Sequence, residues 1–128
     1  MMIAELISTG SELLLGQVVN TNAQYISARL AELGIHLFFQ TTVGDNRVRM
    51  EKALSTALGR ADIVITTGGL GPTLGDITKE VSSGVFGRTL ELHEESLKRI
   101  QAVFAYRGLK MTENNIRHDP AGSHRFAE

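Results

Sequence analysis

The first half of the chain alternates short apolar runs with stretches in which apolar residues recur every three or four positions. Residues 2–8 form such a run and lead to Gly10, which predicts a short buried strand that ends in a turn. Across residues 20–33 the apolar residues recur at helical spacing, and Gly34 follows as a helix stop. The chain therefore begins with a predicted strand followed by an amphipathic helix.

Two further strand and helix pairs follow along the chain. Residues 35–43 are rich in phenylalanine, threonine and valine, which favour strands, and residues 53–58 mark the next helix. Residues 63–65 are a β-branched run typical of a strand that is covered on both faces. This run leads into a glycine-rich loop and then into a predicted helix that ends at Gly87.

The pattern is weaker in the last third of the chain. Residues 90–92 predict a short edge strand, and residues 93–108 predict a last helix with a buried apolar stripe. Residues 112–115 are compatible with a brief helix, and residues 119–123 have turn chemistry. Four phenylalanines are expected in the core: Phe38, Phe39, Phe86 and Phe104.

Strands that alternate with helices predict the fold class. We expect an α/β three-layer sandwich, in which a mostly parallel sheet has helices on both faces and the crossovers are right-handed. The chain offers only three convincing strands, whereas a typical sheet has about five or six. The sheet is therefore predicted to be incomplete at its C-terminal end.

Composition and charge narrow the class of protein. The 128 residues have the length of one ordinary domain, and the net charge of -1 disfavours nucleic acid or an anionic membrane as partner. Cysteine is absent, which excludes disulfides and thiolate metal sites, and the first residues show neither a basic n-region nor a long apolar stretch. We therefore expect a cytoplasmic protein. The four histidines lack metal-ligand spacing and are expected to be structural or at the surface: His36, His93, His118 and His124.

The loop after the third strand has the composition of a phosphate-binding loop. Its glycines permit tight turns, and a helix begins directly behind it. Neither a Walker A nor a dinucleotide motif is present, because no Gly-Lys-Ser/Thr follows and Leu74 stands where a glycine is required. A simple glycine-rich connector is the alternative. The predicted phosphate or substrate residues are Thr67, Gly68, Gly69, Gly71, Thr73 and Asn20, the last of which also suits a helix cap.

Three carboxylates, Glu12, Asp45 and Asp76, each follow a predicted strand. Because ligands of open parallel sheets bind outside the carboxyl ends of the strands, we expect these acids to converge there. Carboxylate and phosphate oxygens suit a divalent cation such as Mg²⁺, Mn²⁺ or Co²⁺. The alternative is that Asp45 and Asp76 are helix N-caps and that Glu12 lies on a solvated turn.

Several separate motifs in the same order resemble one known family. The chain is similar to the N-terminal domain of the competence/damage-inducible protein A family, within the wider molybdopterin-binding family of molybdenum-cofactor biosynthesis proteins. The resemblance covers residues 1–117 and leaves residues 118–128 as a divergent tail. The motifs are GSELLLG at 10–16, NTNA at 20–23, VGDN at 43–46, TGGLGPT at 67–73, DIT at 76–78 and MTENN at 111–115.

The resemblance implies a metal-dependent hydrolase that cleaves the pyrophosphate of ADP-ribose-like substrates. It implies that Asp45 and Asp76 are catalytic and bind metal together with Glu12, and that the glycine-rich loop binds a phosphate, in the wider family that of molybdopterin. Gly75 stands where the family usually has a second acid, which predicts weaker metal binding or slower turnover. A non-catalytic module that binds a pterin or nucleotide phosphate and an inactive truncated remnant are the alternatives. An uncovered sheet edge further predicts a homo-oligomer.

Overall fold

The structure is a computed structural model that describes residues 1–71 and 73–108 and the backbone of residues 124–126. The chain divides into two compact units, Met1–Gly69 and Leu70–Glu128. Within the described ranges, every helix is too short or too polar to cross a lipid bilayer.

The first unit is built on a parallel sheet of three strands. Its elements in chain order are β1 (Ile3–Thr9), α1 (Ser11–Leu14), α2 (Thr21–Glu32), β2 (His36–Val43), α3 (Arg47–Leu58) and β3 (Ile63–Thr67). The strand order is β2-β1-β3, so β1 is central and six of its seven residues are buried. Ser8 lies opposite both Thr42 and Thr67, which places the carboxyl ends of all three strands at one level.

Helices cover both faces of this sheet. The chain moves one way across the sheet from β1 to β2 and the other way from β2 to β3. Because parallel crossovers are right-handed, α2 and α3 must lie on opposite faces. Their buried side chains supply the core on each side: Ala23 and Leu30 from α2, and Met50, Leu54 and Ala57 from α3. The predicted α/β fold is therefore confirmed in this unit.

The second unit contains α4 (Thr78–Phe86), β4 (Leu90–Leu92), α5 (Glu94–Tyr106) and β5 (His124–Phe126). Helix α4 ends at Gly87, whose φ of 63° is the left-handed conformation of a glycine C-cap. Strand β4 pairs with β5 in antiparallel orientation. The sequence pattern missed β5, because three residues are too few to show a period. The predicted brief helix at 112–115 and the turn at 119–123 lie outside the described residues.

The expectation that four phenylalanines form the core is wrong for three of them. Phe38 is 55% exposed, Phe39 and Phe86 are also exposed, and only Phe104 is half-buried. Phe38 and Phe39 lie on β2, at the edge of the described sheet. Because consecutive side chains of a strand point to opposite faces, the two rings lie on different faces of the sheet. Strand β3 was predicted to be covered on both faces, but all five of its residues are only half-buried. The apolar stripe of α5 was predicted to be buried and is also only half-buried.

Candidate functional site

The carboxyl ends of β1 and β3 and the start of α2 enclose a cleft of about 200 Å³. We call it the strand-end cleft. It brings together four of the predicted site residues, namely Glu12, Asn20, Thr67 and Gly68. At its base the Thr9 hydroxyl donates a hydrogen bond of 3.0 Å to the Thr67 carbonyl, which joins the two strand ends.

Gly68 allows this close approach of the two strands. Its φ is 87°, a left-handed conformation that side chains rarely adopt, and Gly69 follows with a φ of 66°. A Cβ at Gly68 would overlap the Thr9 carbonyl oxygen and would lie 2.8 Å from its Oγ1. The tight turn that the sequence predicts is therefore present, and glycine is required by both conformation and space. Gly71 and Thr73, the remaining predicted loop residues, belong to the second unit.

Helix α2 supplies the opposite wall of the strand-end cleft. Asn20 is its N-cap, and its Oδ1 accepts a hydrogen bond of 3.1 Å from the Ala23 N–H. The capping role that was one of two interpretations of Asn20 is therefore confirmed. Because a carboxamide also carries two N–H donors, the cap leaves these donors for other partners.

Glu12 lies at the wall of the strand-end cleft with an exposed carboxylate. Its side chain folds back over Gly10, where an added Cβ would lie 2.5 Å from Oε1 and 3.1 Å from Oε2. Within the described part of the chain, this carboxylate makes neither an ion pair nor a hydrogen bond. It is thus open to a ligand or a cation.

Asp45 lines a different cleft from that of Glu12. Its backbone N–H donates to the Ser11 hydroxyl at 3.0 Å, and the surrounding cleft of about 360 Å³ also contains Arg49. Helix α3 is capped by Asn46, whose Oδ1 accepts from the Arg49 N–H at 3.0 Å. The alternative in which Asp45 is the helix cap is therefore wrong, and its exposed carboxylate has no structural role of that kind.

Asp76 closes its own loop in the second unit. Its Oδ2 accepts hydrogen bonds from the Thr73 N–H at 3.1 Å and from the Thr73 hydroxyl. A Cβ at Gly71 would lie 3.0 Å from the same oxygen, so glycine there leaves room for this carboxylate. Asp76 is not the N-cap of α4, because Ile77 holds that position. The helix-cap alternative is wrong here as well, although the carboxylate does organise the turn before the helix.

The donor groups of the described residues bear on the predicted cation site, which stays a prediction. Across residues 1–71 and 73–108, no three histidine, aspartate or glutamate side chains gather into a group that could hold a metal ion. In the first unit, Glu12 and Asp45 line separate clefts, so neither cleft holds more than one of the predicted carboxylates. Cations such as Mg²⁺ are more often held by one or two carboxylates and the phosphates of a substrate, and the open Glu12 carboxylate fits that arrangement.

One buried charge cluster in the first unit was not predicted from the sequence. Glu5, in the middle of β1, is only 1% exposed and accepts two hydrogen bonds of 2.8 Å from Arg60 and one of 3.1 Å from Thr41. The Arg60 hydrogen bonds hold the pKa of Glu5 below its usual value, against the opposing effect of burial. The signal was available, because Glu5 is an acid inside an apolar strand and needs a partner there.

Comparison with known proteins identifies the family. A family model described as "Probable molybdopterin binding domain" matches residues 5–123. The chain belongs to this family. The family match confirms the relationship that the motifs of the strand ends and the glycine-rich loop predict.

Relatives and solved structures agree with this assignment. A CinA-like protein from Dictyoglomus thermophilum is 61% identical over 113 residues, which are 88% of this chain and 28% of that protein. The crystal structure of the CinA protein from Thermoplasma acidophilum, described as of unknown function, has a TM-score of 0.81 and 31% identity, covering 90% of this chain and 67% of that one. The molybdopterin biosynthesis enzyme MoaB from Thermus thermophilus shares the fold, with a TM-score of 0.62 and 22% identity over 66% of this chain and 54% of that one.

The chain spans about 28% of the length of its Dictyoglomus relative. The comparisons thus establish the CinA-like and molybdopterin-binding relationship of the chain, and the family match extends six residues beyond the predicted boundary at residue 117. That boundary itself stays a prediction.

Proposed function

We propose that the strand-end cleft binds the phosphate group of a pterin or a nucleotide. The observation that carries this proposal is the juxtaposition of the Gly68 turn with the Thr9 and Thr67 strand ends and the start of α2. Ligands of open parallel sheets bind at this edge, outside the carboxyl ends of the strands. The description of the family as a molybdopterin-binding domain supports the same class of ligand.

The cleft offers an anion two kinds of attraction. Helix α2 has 12 residues, and its first turn lines the cleft, so the positive end of its dipole is available to a phosphate. The Thr67 hydroxyl and the Asn20 carboxamide nitrogen are neutral donors at the same place. Neutral donors and a helix dipole bind phosphate without a local excess of lysine or arginine.

A change at Thr67 tests the binding proposal. Thr67→Val removes a hydroxyl and keeps a β-branched side chain, so we expect several-fold weaker binding of inorganic phosphate and of ADP-ribose by calorimetry. Thr66→Val is the matched control, because Thr66 lies next to it on β3 and does not line the cleft. Equal affinity for both variants and the parent chain would refute the assignment of the cleft.

The second candidate function is metal-dependent hydrolysis of a nucleotide pyrophosphate such as ADP-ribose. The open Glu12 carboxylate in the wall of the cleft favours it, because a cation and the substrate phosphates would complete its coordination. When bound, a divalent cation would polarise the phosphorus–oxygen bonds and neutralise their charge. Asp45 and Asp76 are the further carboxylates proposed to hold the cation or to orient an attacking water.

Product analysis separates this enzyme from a binding module. The chain is incubated near neutral pH with ADP-ribose and Mg²⁺, Mn²⁺ or Co²⁺, and hydrolysis of the pyrophosphate releases AMP and ribose 5-phosphate. We expect Glu12→Gln, Asp45→Asn and Asp76→Asn each to lower the rate, whereas Glu32→Gln, an exposed acid on α2, should not. Binding of ADP-ribose without release of AMP under all three cations would refute the hydrolase and leave the binding function.

A further inference from the structure

A second cleft of about 370 Å³ lies between α3 and the edge strand β2 of the first unit. We call it the α3 cleft. Its walls are the strand end 41–44, the helix residues Arg49, Lys52 and Thr56, and the Glu5–Arg60 pair. It shares no residue with the strand-end cleft, so the phosphate-binding proposal does not account for it.

The α3 cleft concentrates positive charge in a chain whose net charge is -1. Three cations line it against one carboxylate, and that carboxylate, Glu5, is already bound by Arg60. The side chains of Arg49 and Lys52 have neither an ion pair nor a hydrogen bond within the part of the chain that the structure describes. Two positive charges at one cleft therefore have no ion-pair partner in the described residues, and Arg49 also borders the adjoining cleft of Asp45.

These two cations lie on the same side of a helix. Arg49 and Lys52 are three residues apart on α3, and Thr56 follows four residues later, so all three are neighbours on the helix surface. Like charges at this spacing repel each other and destabilise a helix slightly. An anion between them would turn this repulsion into attraction.

The rest of the cleft combines a hydrogen-bonded guanidinium with apolar surface. The Arg60 guanidinium is held by two hydrogen bonds to buried Glu5 and lies 3.6 Å from the centre of the Phe39 ring. Leu14 and Ala53 provide apolar surface beside the cations. Apolar walls with a few placed polar groups are typical of small-molecule sites, and a volume near the lower end of their range, about 300–1,000 Å³, suits a ligand no larger than a mononucleotide.

We propose that the α3 cleft is a second binding site, for a small organic anion whose carboxylate or phosphate lies between Arg49 and Lys52 and whose apolar part packs on Leu14 and Ala53. Carboxylates and phosphates share this chemistry, because both pair with cations through charge-assisted hydrogen bonds. Phenyl phosphate and benzoate carry the same ring, so a difference in their affinities shows whether the site prefers a phosphate or a carboxylate. Inorganic phosphate tests whether the apolar part is needed.

The test is an NMR titration of the full ¹⁵N-labelled chain with these three probes. We expect phenyl phosphate or benzoate to shift the amides of Gly44, Lys52 and Thr56, and to bind more tightly than inorganic phosphate. Lys52→Gln should weaken that binding about tenfold, as the loss of a charged hydrogen bond does. Lys52 is exposed, so this variant should fold. Lys98→Gln, which replaces an exposed lysine on α5 of the second unit, is the matched control and should bind as the parent does.

Three results would overturn the proposal: shifts that avoid α3, unchanged affinity in Lys52→Gln, or inorganic phosphate that binds as tightly as both aromatic anions. Thr67→Val separates the two clefts, because it should weaken binding at the strand ends and leave the shifts at Lys52 intact. Shifts confined to Thr67 and Gly68 would therefore refute the α3 cleft while supporting the proposed function. Shifts at Lys52 and Thr56 in the parent chain, with none at Thr67 and Gly68, would support the α3 cleft and refute the proposed function.

Discussion

Replacement of Arg60 by methionine should leave the buried Glu5 carboxylate without its positively charged partner. Glu5 is 1% exposed, and both of its strong hydrogen bonds come from the Arg60 guanidinium. Arg60→Met keeps an apolar stem that can pack on Phe39 and removes both bonds at once. The carboxylate then retains only the Thr41 hydroxyl as a partner.

The expected cost follows from the burial of the two partners. Removal of one partner from a buried ion pair costs about 3–5 kcal/mol. The Arg60 side chain is 38% exposed, so water can reach part of the space that it leaves. We therefore expect the lower end, about 3 kcal/mol of unfolding free energy at pH 7, which corresponds to a fall in Tm of about 10 °C for a chain of this length.

The penalty should depend on pH in a defined direction. In the parent chain the pKa of Glu5 is lowered, so the pair contributes its stability above the ordinary value of 4.5 and loses it as pH falls through the lowered pKa. In Arg60→Met the buried, unpaired Glu5 has a raised pKa, and stability is lost as pH rises through it. The difference between the two proteins should therefore be large at pH 7 and smaller at pH 4.

Urea unfolding followed by circular dichroism at both pH values measures this difference. Arg29→Met is the matched control, because Arg29 and Glu32 are both more than half exposed and such a surface pair contributes about 0.5 kcal/mol or less. A cost of less than about 1 kcal/mol at pH 7 for Arg60→Met, well below the range for a broken buried pair, would contradict the burial of this charge. An equal cost at pH 4 would contradict it as well.

Three shorter predictions concern caps, glycines and assembly. Asn46→Ala should cost about 1 kcal/mol in urea unfolding because it removes the α3 cap, whereas Asp45→Ala should cost less than about 0.5 kcal/mol. Gly68→Ala should lower the Tm more than Gly34→Ala, since both have positive φ but only Gly68 meets a neighbouring strand; equal losses would contradict the steric argument. We expect self-association at micromolar concentration in sedimentation, weakened by Phe38→Lys at the exposed β2 edge, and a parent chain that sediments as a monomer would contradict this.

Local signals made the three strands and the two long helices of the first unit predictable, whereas the four-residue helix α1 was not predicted. The boundaries of α2 follow from two residues that flank it: Asn20, which caps its start, and Gly34, which follows its end with a φ of 72°. The turn at Gly68 was predictable for the same reason, because a glycine after a β-branched run has a local conformational cause. Three-residue strand β5 lacked such a signal.

Contacts between distant residues were not predictable from the pattern. Glu5 and Arg60 are 55 positions apart, and only the assembled sheet brings them together. The grouping of the carboxylates was not predictable either, although the sequence correctly predicts that each follows a strand. Whether Glu12 and Asp45 line one cleft or two depends on the path of α1 and α3, and the spacing of the acids along the chain does not reveal that path.

A single irregularity in the pairing of β1 with β2 explains why the β2 phenylalanines were misjudged. Ala4 lies opposite Leu37, but Glu5 lies opposite Phe39, so β2 carries one extra residue at this point. Because side chains alternate between faces, this shift places Phe39 and Thr41 on the α3 side with Glu5.

The same shift in register affects the surface around Phe38, the α3 cleft and the level of the strand ends. Phe38 is left on the α2 side, where it lines a cleft with Ser27 and remains largely exposed. Without the extra residue, Glu5 would lie opposite Phe38 and would face away from Thr41, and the wall of the α3 cleft would lose its buried acceptor. The extra residue also places Thr9 opposite Val43, so strands β1 and β2 end side by side, directly before the loop that carries Asp45. A bulge depends on the partner strand, and a pattern within one strand cannot reveal it.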